Sequence, residues 1–160
     1  YLTANAAFPR ERQIDTITIH HMAGAPELEN LGAEFAKADR RASANYGIDV
    51  NGRIGLFVEE ANRAWTSSNV ENDSRAVTIE VANDEEGGIW HVSDASYQAL
   101  IDLCVDICRR NGIQMLYYTG DAKGNLTTHK MFSDTECPGF YLESKLLDIA
   151  DAVNAQLQNS

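Results

Sequence analysis

Period-two alternation is the feature that most narrows the fold of this chain. Residues 14–20, IDTITIH, put Ile17 and Ile19 on one row and Thr16, Thr18 and His20 on the other. Residues 76–82, AVTIEVA, repeat the pattern, with Val77, Ile79 and Val81 opposed to Thr78, Glu80 and Ala82. Both read as strands. His20 ends the polar row of the first, and Glu80 lies on the non-core row of the second. His21 shares the parity of Ile17 and Ile19, so the two imidazoles of ITIHHMAG point to opposite faces and do not easily serve one site.

Other periodicities fill the space between and after these strands. Gly24 and Pro26 break the first pattern, and Leu28, Leu31 and Phe35 recur at helical spacing to about Arg40. Residues 44–58, ANYGIDVNGRIGLFV, are two strand-like runs around Asn51-Gly52, a dipeptide that tolerates the positive dihedrals of a tight hairpin. Residues 64–74, AWTSSNVENDS, read as an exposed loop. A helix follows over 94–110, with Asp94 as an acidic cap candidate, two terminal arginines before Asn111-Gly112, and Cys104 and Cys108 on its apolar side as small core residues. A short strand near 115–119, a loop through Gly124 and a helix from Tyr141 to about Leu157 complete the chain. Strands alternating with helices, plus a hairpin, predict an α/β fold in two or three layers: a mixed β-sheet flanked by α-helices.

Length and charge bound the rest. With 160 residues, the expectation is a single domain spanning 1–160. A net charge of -11 repels phosphates and anionic headgroups, so neither nucleic acid nor membrane is expected as a partner. No run approaches the ~18 apolar residues of a membrane span, and YLTANAAFPRERQ lacks the apolar centre of a signal peptide. Three cysteines are too few for a disulfide framework.

The chemistry-bearing stretch is THKMFSDTECPG, residues 128–139, which puts His129 and Cys137 in one irregular segment. With His20 they make three ligands of the kind zinc prefers, and three ligands with an open fourth position is the catalytic arrangement. Spacing alone leaves a plainer reading open: a surface His129, a packed His20 and a buried Cys137. His91, in GGIWHVSD, has no partner nearby in sequence and reads as a loop histidine.

ITIHHMAG, YGIDVNGRIGLFVEEANRAW, AVTIEVAND and LTTHKMFSDTECPG, in this order over most of the chain, closely resemble the zinc-dependent N-acetylmuramoyl-L-alanine amidases of phage endolysins and bacterial autolysins. This is the amidase type 2 and peptidoglycan recognition protein-like family. The resemblance implies a mixed sheet with flanking helices, one Zn2+, and hydrolysis of the amide between muramic acid and the first L-alanine of the peptidoglycan stem. By the same resemblance His20, His129 and Cys137 are the zinc ligands, Glu80 is the general base, Thr135 lies near the developing oxyanion and Trp65 forms a groove wall for substrate.

Two departures from relatives matter. A branch with a catalytic tyrosine carries it two positions before the aromatic that matches Tyr46; Ala44 stands there, so Tyr46 is not expected to inherit the role. Relatives often carry histidine where this chain has Thr66. The implied partner is bacterial peptidoglycan and the implied setting the cell wall, reached by secretion or phage release, with the domain acting as a monomer. Since walls are themselves anionic, the charge of -11 predicts a separate wall-binding module beyond Ser160. The rival readings are a non-catalytic peptidoglycan-binding module and a Cys-His cell-wall peptidase with Cys137 as nucleophile.

Overall fold

The alternating rows pair into a five-stranded sheet in a computed structural model that describes residues 1–159; Ser160, the expected end of the domain, lies outside the described residues. In chain order the elements are β1 (Ala6–Ala7), β2 (Thr16–His21), α1 (Leu28–Ala36), β3 (Tyr46–Ile48), β4 (Ile54–Leu56), β5 (Arg63–Ala64), α2 (Val70–Arg75), β6 (Ala76–Val81), α3 (Asp94–Asn111), β7 (Leu126–Thr128) and α4 (Phe140–Gln158). The sheet order is β4-β3-β6-β2-β7, with β1 and β5 forming a separate antiparallel ribbon. β2 runs parallel to β6 and β7, and β3 runs parallel to β6 and antiparallel to β4, so the sheet is mixed as expected.

One face of the sheet is aliphatic. Ile17, Ile19, Ile48, Val77, Ile79 and Val81 bury against α3 and α4, which contribute Leu100, Cys104, Ile107, Leu142, Leu146 and Ile149. Cys104 and Cys108 are buried free thiols within this core. The 18-residue α3 starts at Asp94 as expected, but its N-cap is Ser93 and not Asp94: Ser93 accepts from the Ser96 N–H at 3.1 Å, and Gly112 closes the helix in the left-handed conformation.

The opposite, threonine-bearing face is also buried, which the sequence reading did not anticipate. Residues 64–74, expected to be an exposed loop, contain the end of β5 and most of α2, and Ser67, Asn72, Asp73 and Ser74 are buried. Polar side chains can be buried there because they satisfy one another. Asn72 donates to Thr18 Oγ1 at 2.8 Å and accepts from Thr127 Oγ1 at 3.3 Å, while the Thr18 and Thr127 hydroxyls lie 2.9 Å apart. Asn45 accepts from the Thr78 N–H at 3.0 Å. Farther along this face α1 covers Gly47, where a Cβ would come within 2.7 Å of the Phe57 ring. Helices on both faces make three layers.

Two further local expectations change. The hairpin is closed by the Gly52 N–H donating to the Asp49 carbonyl at 3.0 Å, with Gly52 at φ 83° and no positive φ at Asn51. It is therefore a type I turn followed by a left-handed glycine, not a two-residue turn with both dihedrals positive. Residues 115–119 form no strand; Tyr117 instead accepts from Asn125 and Leu126 through its carbonyl, and the added strand is β7. Among the described residues no helix is long and apolar enough to cross a membrane.

Arg10 ties the polar layer together. Its guanidinium donates to the carbonyls of Glu60, Asn62, Asp73, Ser74 and Ala76 at 2.8 to 3.0 Å, joining the β5 region to the α2–β6 junction. An ammonium cannot reproduce this planar fork. Arg10→Lys is expected to lower unfolding free energy by about 2–3 kcal/mol, measured by urea denaturation, because several buried carbonyls lose their donor.

Candidate active site

Register brings the titratable strand ends together. His20 is paired with Glu80 across β2 and β6, so their side chains share a face at the carboxyl end of two parallel strands. Across the other edge of β2, Ile19 is paired with Thr128, which delivers His129 as the first residue of a 3-10 turn beside His20. The two imidazole centroids are 4.8 Å apart. Cys137 arrives on the following loop, with its Sγ 3.5 Å from His20 Nδ1. The candidate ligand atoms of His20, His129 and Cys137 all lie within 4.8 Å of one another.

The loop that carries Cys137 is pinned on several sides. The Cys137 N–H donates to Thr135 Oγ1 at 3.2 Å, its carbonyl accepts from the Lys130 N–H at 3.0 Å, and its sulfur accepts from the His21 N–H at 3.4 Å. Thr135 thus uses its oxygen to hold the loop and keeps a proton to donate. His21 faces the other way: its ring meets Trp90 edge-on at 5.1 Å and takes no part in the ligand cluster.

Burial sets the protonation of the cluster. His20 is only 1% exposed, and desolvation, with smaller contributions from His129 and His21, holds its pKa well below the usual range. Desolvation lowers His129 as well, against a raising effect of Asp73. Burial, reinforced by the Glu80 charge, pushes the Cys137 thiol far up. His20 Nε2 is buried without a hydrogen-bond partner. Two neutral imidazoles, one of them with an orphaned ring nitrogen, beside a single thiol fit one zinc-like ion: such ions take neutral imidazole and displace the thiol proton.

Glu80 lies beside this cluster, its Oε1 3.9 Å from His20 Nδ1 and its side chain 17% exposed. Burial raises its pKa to about 8, with Arg40 pulling in the opposite direction. Tyr46 is on the other face. Its strand position pairs with Ile79, it packs on the aliphatic core, and its hydroxyl donates to Glu60, whose carboxylate also meets Arg110 at 2.7 Å.

Trp65 is half-buried and lines a cavity of about 210 Å³ with Arg41, Arg63, Ser68, Asn69, Val70 and Asp73. Thr66, where relatives often have histidine, turns into the polar layer, donating to the Ser43 carbonyl at 2.7 Å and meeting Thr78 Oγ1 at 2.8 Å. Sequence reasoning missed three neighbours of the site. Trp90 sits in a stretch read only for His91; Arg40 was seen only as a helix end; and His91 does have a partner, Asp84, at 2.7 Å. A second tryptophan shortly after the Gly87-Gly88 pair was the available signal.

The chain matches the family model described as N-acetylmuramoyl-L-alanine amidase over residues 10–140. No curated protein sequence matches it significantly. Among solved structures it is similar to PlyL, with a TM-score of 0.74 at 15% identity, covering 96% of this chain and 94% of that one. It is also similar to a selenomethionine AmpD derivative, with a TM-score of 0.68 at 17% identity, covering 94% and 92%. A third is the N-acetylmuramoyl-L-alanine amidase LysC from Clostridium intestinale URNW, with a TM-score of 0.62 at 18% identity, covering 99% and 97%. At these identities the structural likeness speaks for the fold, and the family match over most of the chain speaks for descent. The chain belongs to the N-acetylmuramoyl-L-alanine amidase family.

Proposed function

We propose that this chain hydrolyses the amide joining the lactyl group of N-acetylmuramic acid to the first L-alanine of peptidoglycan, with one zinc ion held by His20, His129 and Cys137 and with Glu80 as general base. The observation that carries the reading is the convergence of those three donors within 4.8 Å, beside Glu80, in a member of this family. The chemistry a zinc ion supplies in such a position is Lewis acidity, which polarises a carbonyl and acidifies water.

The remaining work falls to side chains. Glu80 takes a proton from the attacking water and returns it to the leaving L-alanine nitrogen, so the lactyl carbon gains hydroxyl and the peptide leaves as an amine. A carboxylate whose pKa burial raises can hold a proton between the two transfers. The Thr135 hydroxyl donates to the oxyanion that develops on the carbonyl, and Trp65 forms one wall of the substrate groove. The domain works as a monomer at the bacterial wall, whether secreted or phage-released, and a separate wall-binding module compensates for its charge of -11.

A Cys-His peptidase mechanism is disfavoured by the thiol itself. Burial, with the Glu80 charge adding to it, raises the Cys137 pKa, the opposite direction from what a nucleophilic thiolate needs. Retention of the whole donor set with Glu80 likewise speaks against a purely binding module.

Three outcomes test this reading. Metal analysis is expected to give one zinc per chain, lost in His20→Ala and His129→Ala and kept in His21→Ala, whose ring lies outside the ligand cluster. Full zinc occupancy in His20→Ala would remove the assignment. On purified walls, product analysis is expected to show new L-alanine amino groups and no new reducing sugars; new reducing ends would instead mean glycoside cleavage. At matched zinc content, Glu80→Gln is expected to lower turnover by roughly 10²- to 10⁴-fold, the usual worth of a general base, while Tyr46→Phe costs little. The reverse ranking would transfer the proton chemistry to the tyrosine.

A further inference from the structure

We propose that Trp90 is the floor of a subsite for the neutral glycan strand, binding an N-acetylhexosamine ring beside the ligand cluster. This rests on the peptidoglycan reading above and adds a contact residue to it. Trp90 is physically continuous with the cluster. Its ring meets His21 at 5.1 Å, and the His21 N–H donates to Cys137 Sγ at 3.4 Å. Gly139, two residues after Cys137, has φ 85°, and a Cβ there would lie 2.8 Å from Trp90 Cβ. The loop that delivers the thiol therefore packs directly against the base of the Trp90 side chain.

The conformation of Trp90 is costly and enforced. Its φ is 57°, a left-handed value that bulky side chains rarely adopt. Hydrogen bonds on both sides impose it: the Trp90 N–H donates to the Gly87 carbonyl at 3.0 Å, the Trp90 carbonyl accepts from Asn83 Nδ2 at 2.9 Å, and Asp84 and His91 bridge the loop base at 2.7 Å. Strain that its surroundings over-determine collects where a side chain must be presented to a ligand.

What Trp90 faces fits a sugar. It lines an open cavity of about 240 Å³ with Gly88, Lys130, Glu136, Phe140 and Glu143. Phe140 is 66% exposed, giving the cavity an apolar rim. The Lys130 ammonium is engaged by Glu143 at 3.2 Å, so the cavity is net negative, and Asp84, Glu85 and Glu86 are exposed on the same loop. Arginines lie on the other flank, where Arg40 acts on Glu80 and Arg41 and Arg63 line the Trp65 cavity. A carboxylate-bearing stem peptide is repelled from the Trp90 side. A neutral ring is not: its C–H face packs on indole while its hydroxyls donate to Glu136.

Trp65 and Trp90 are the chain's two tryptophans, so Trp65→Phe leaves Trp90 as the single indole. The zinc-loaded Trp65→Phe protein is titrated with N-acetylglucosamine tetramer and, separately, with a sugar-free acidic stem tetrapeptide, reading indole emission. A saturable change with the tetramer and none with the peptide is expected. On soluble wall fragments, Trp90→Ala at matched zinc and far-ultraviolet circular dichroism should raise KM by roughly 3- to 10-fold, the worth of one aromatic contact, with kcat much less affected. Trp90→Leu serves the same comparison if the alanine variant does not fold. The subsite is overturned if the tetramer leaves Trp90 emission unchanged, if the peptide changes it equally, or if KM stays at the wild-type value. Release of L-alanine amino groups by the wild type is scored in parallel. Cleavage with a silent Trp90 rejects the subsite alone, and absence of cleavage rejects the reaction itself.

Discussion

The parallel register between β2 and β6 is the constraint on which the rest of the site depends. It sets His20 beside Glu80 at the carboxyl ends of both strands, and the pairing of β2 with β7 then brings His129 to the same point. A one-residue slip would exchange the rows, turning His20 into the aliphatic layer and Ile19 into the polar one. The aliphatic row against α3 and α4 forbids that slip, since Ile17, Ile19, Val77, Ile79 and Val81 are all wholly buried. The hydrophobic core thus fixes the chemistry on the opposite face without touching it.

That opposite face is an internal polar layer. Thr18, Asn72 and Thr127 hydrogen-bond to one another, Asn45 holds Thr78, and Arg10 caps the carbonyls at the α2–β6 junction. A polar layer of this kind is tolerable only when its members are paired, and one half-satisfied group costs more than an apolar substitute. Among the described residues His20 Nε2 departs from this rule, as do His21 Nδ1 and Arg63 Nε. At His20 the unpaired nitrogen belongs to one of the three candidate ligands, where the proposed ion would take it up.

Charge divides the two flanks of the cluster. The chain as a whole carries -11, yet Arg40, Arg41 and Arg63 gather on the Glu80 and Trp65 side, while Glu136, Glu143 and the 84–86 segment lie towards Trp90. A field asymmetric in this way orients a charged ligand before any specific contact forms. The adjacent histidines of ITIHHMAG are the hinge of this asymmetry: His20 faces the ligand cluster, and His21 supports Trp90 on the far side.

By itself the sequence determined the elements whose signal is local: the alternating rows of β2 and β6, the long helices α3 and α4, the hairpin, and, through four ordered motifs, the family and its candidate ligands. Parity alone separated His20 from His21 and identified the face of Glu80. Only the tertiary structure decided what was non-local. Residues 64–74 looked like an exposed loop because their polar side chains find partners on β2, β6 and β7 that lie far away in sequence. The three-residue β7 was too short to read, yet it delivers His129. Trp90 carried no periodic signal, because its position is set by a left-handed backbone and by contact with His21 and Gly139. Periodicity records which face a side chain takes relative to its own neighbours; which distant groups meet it there is fixed by strand register and packing.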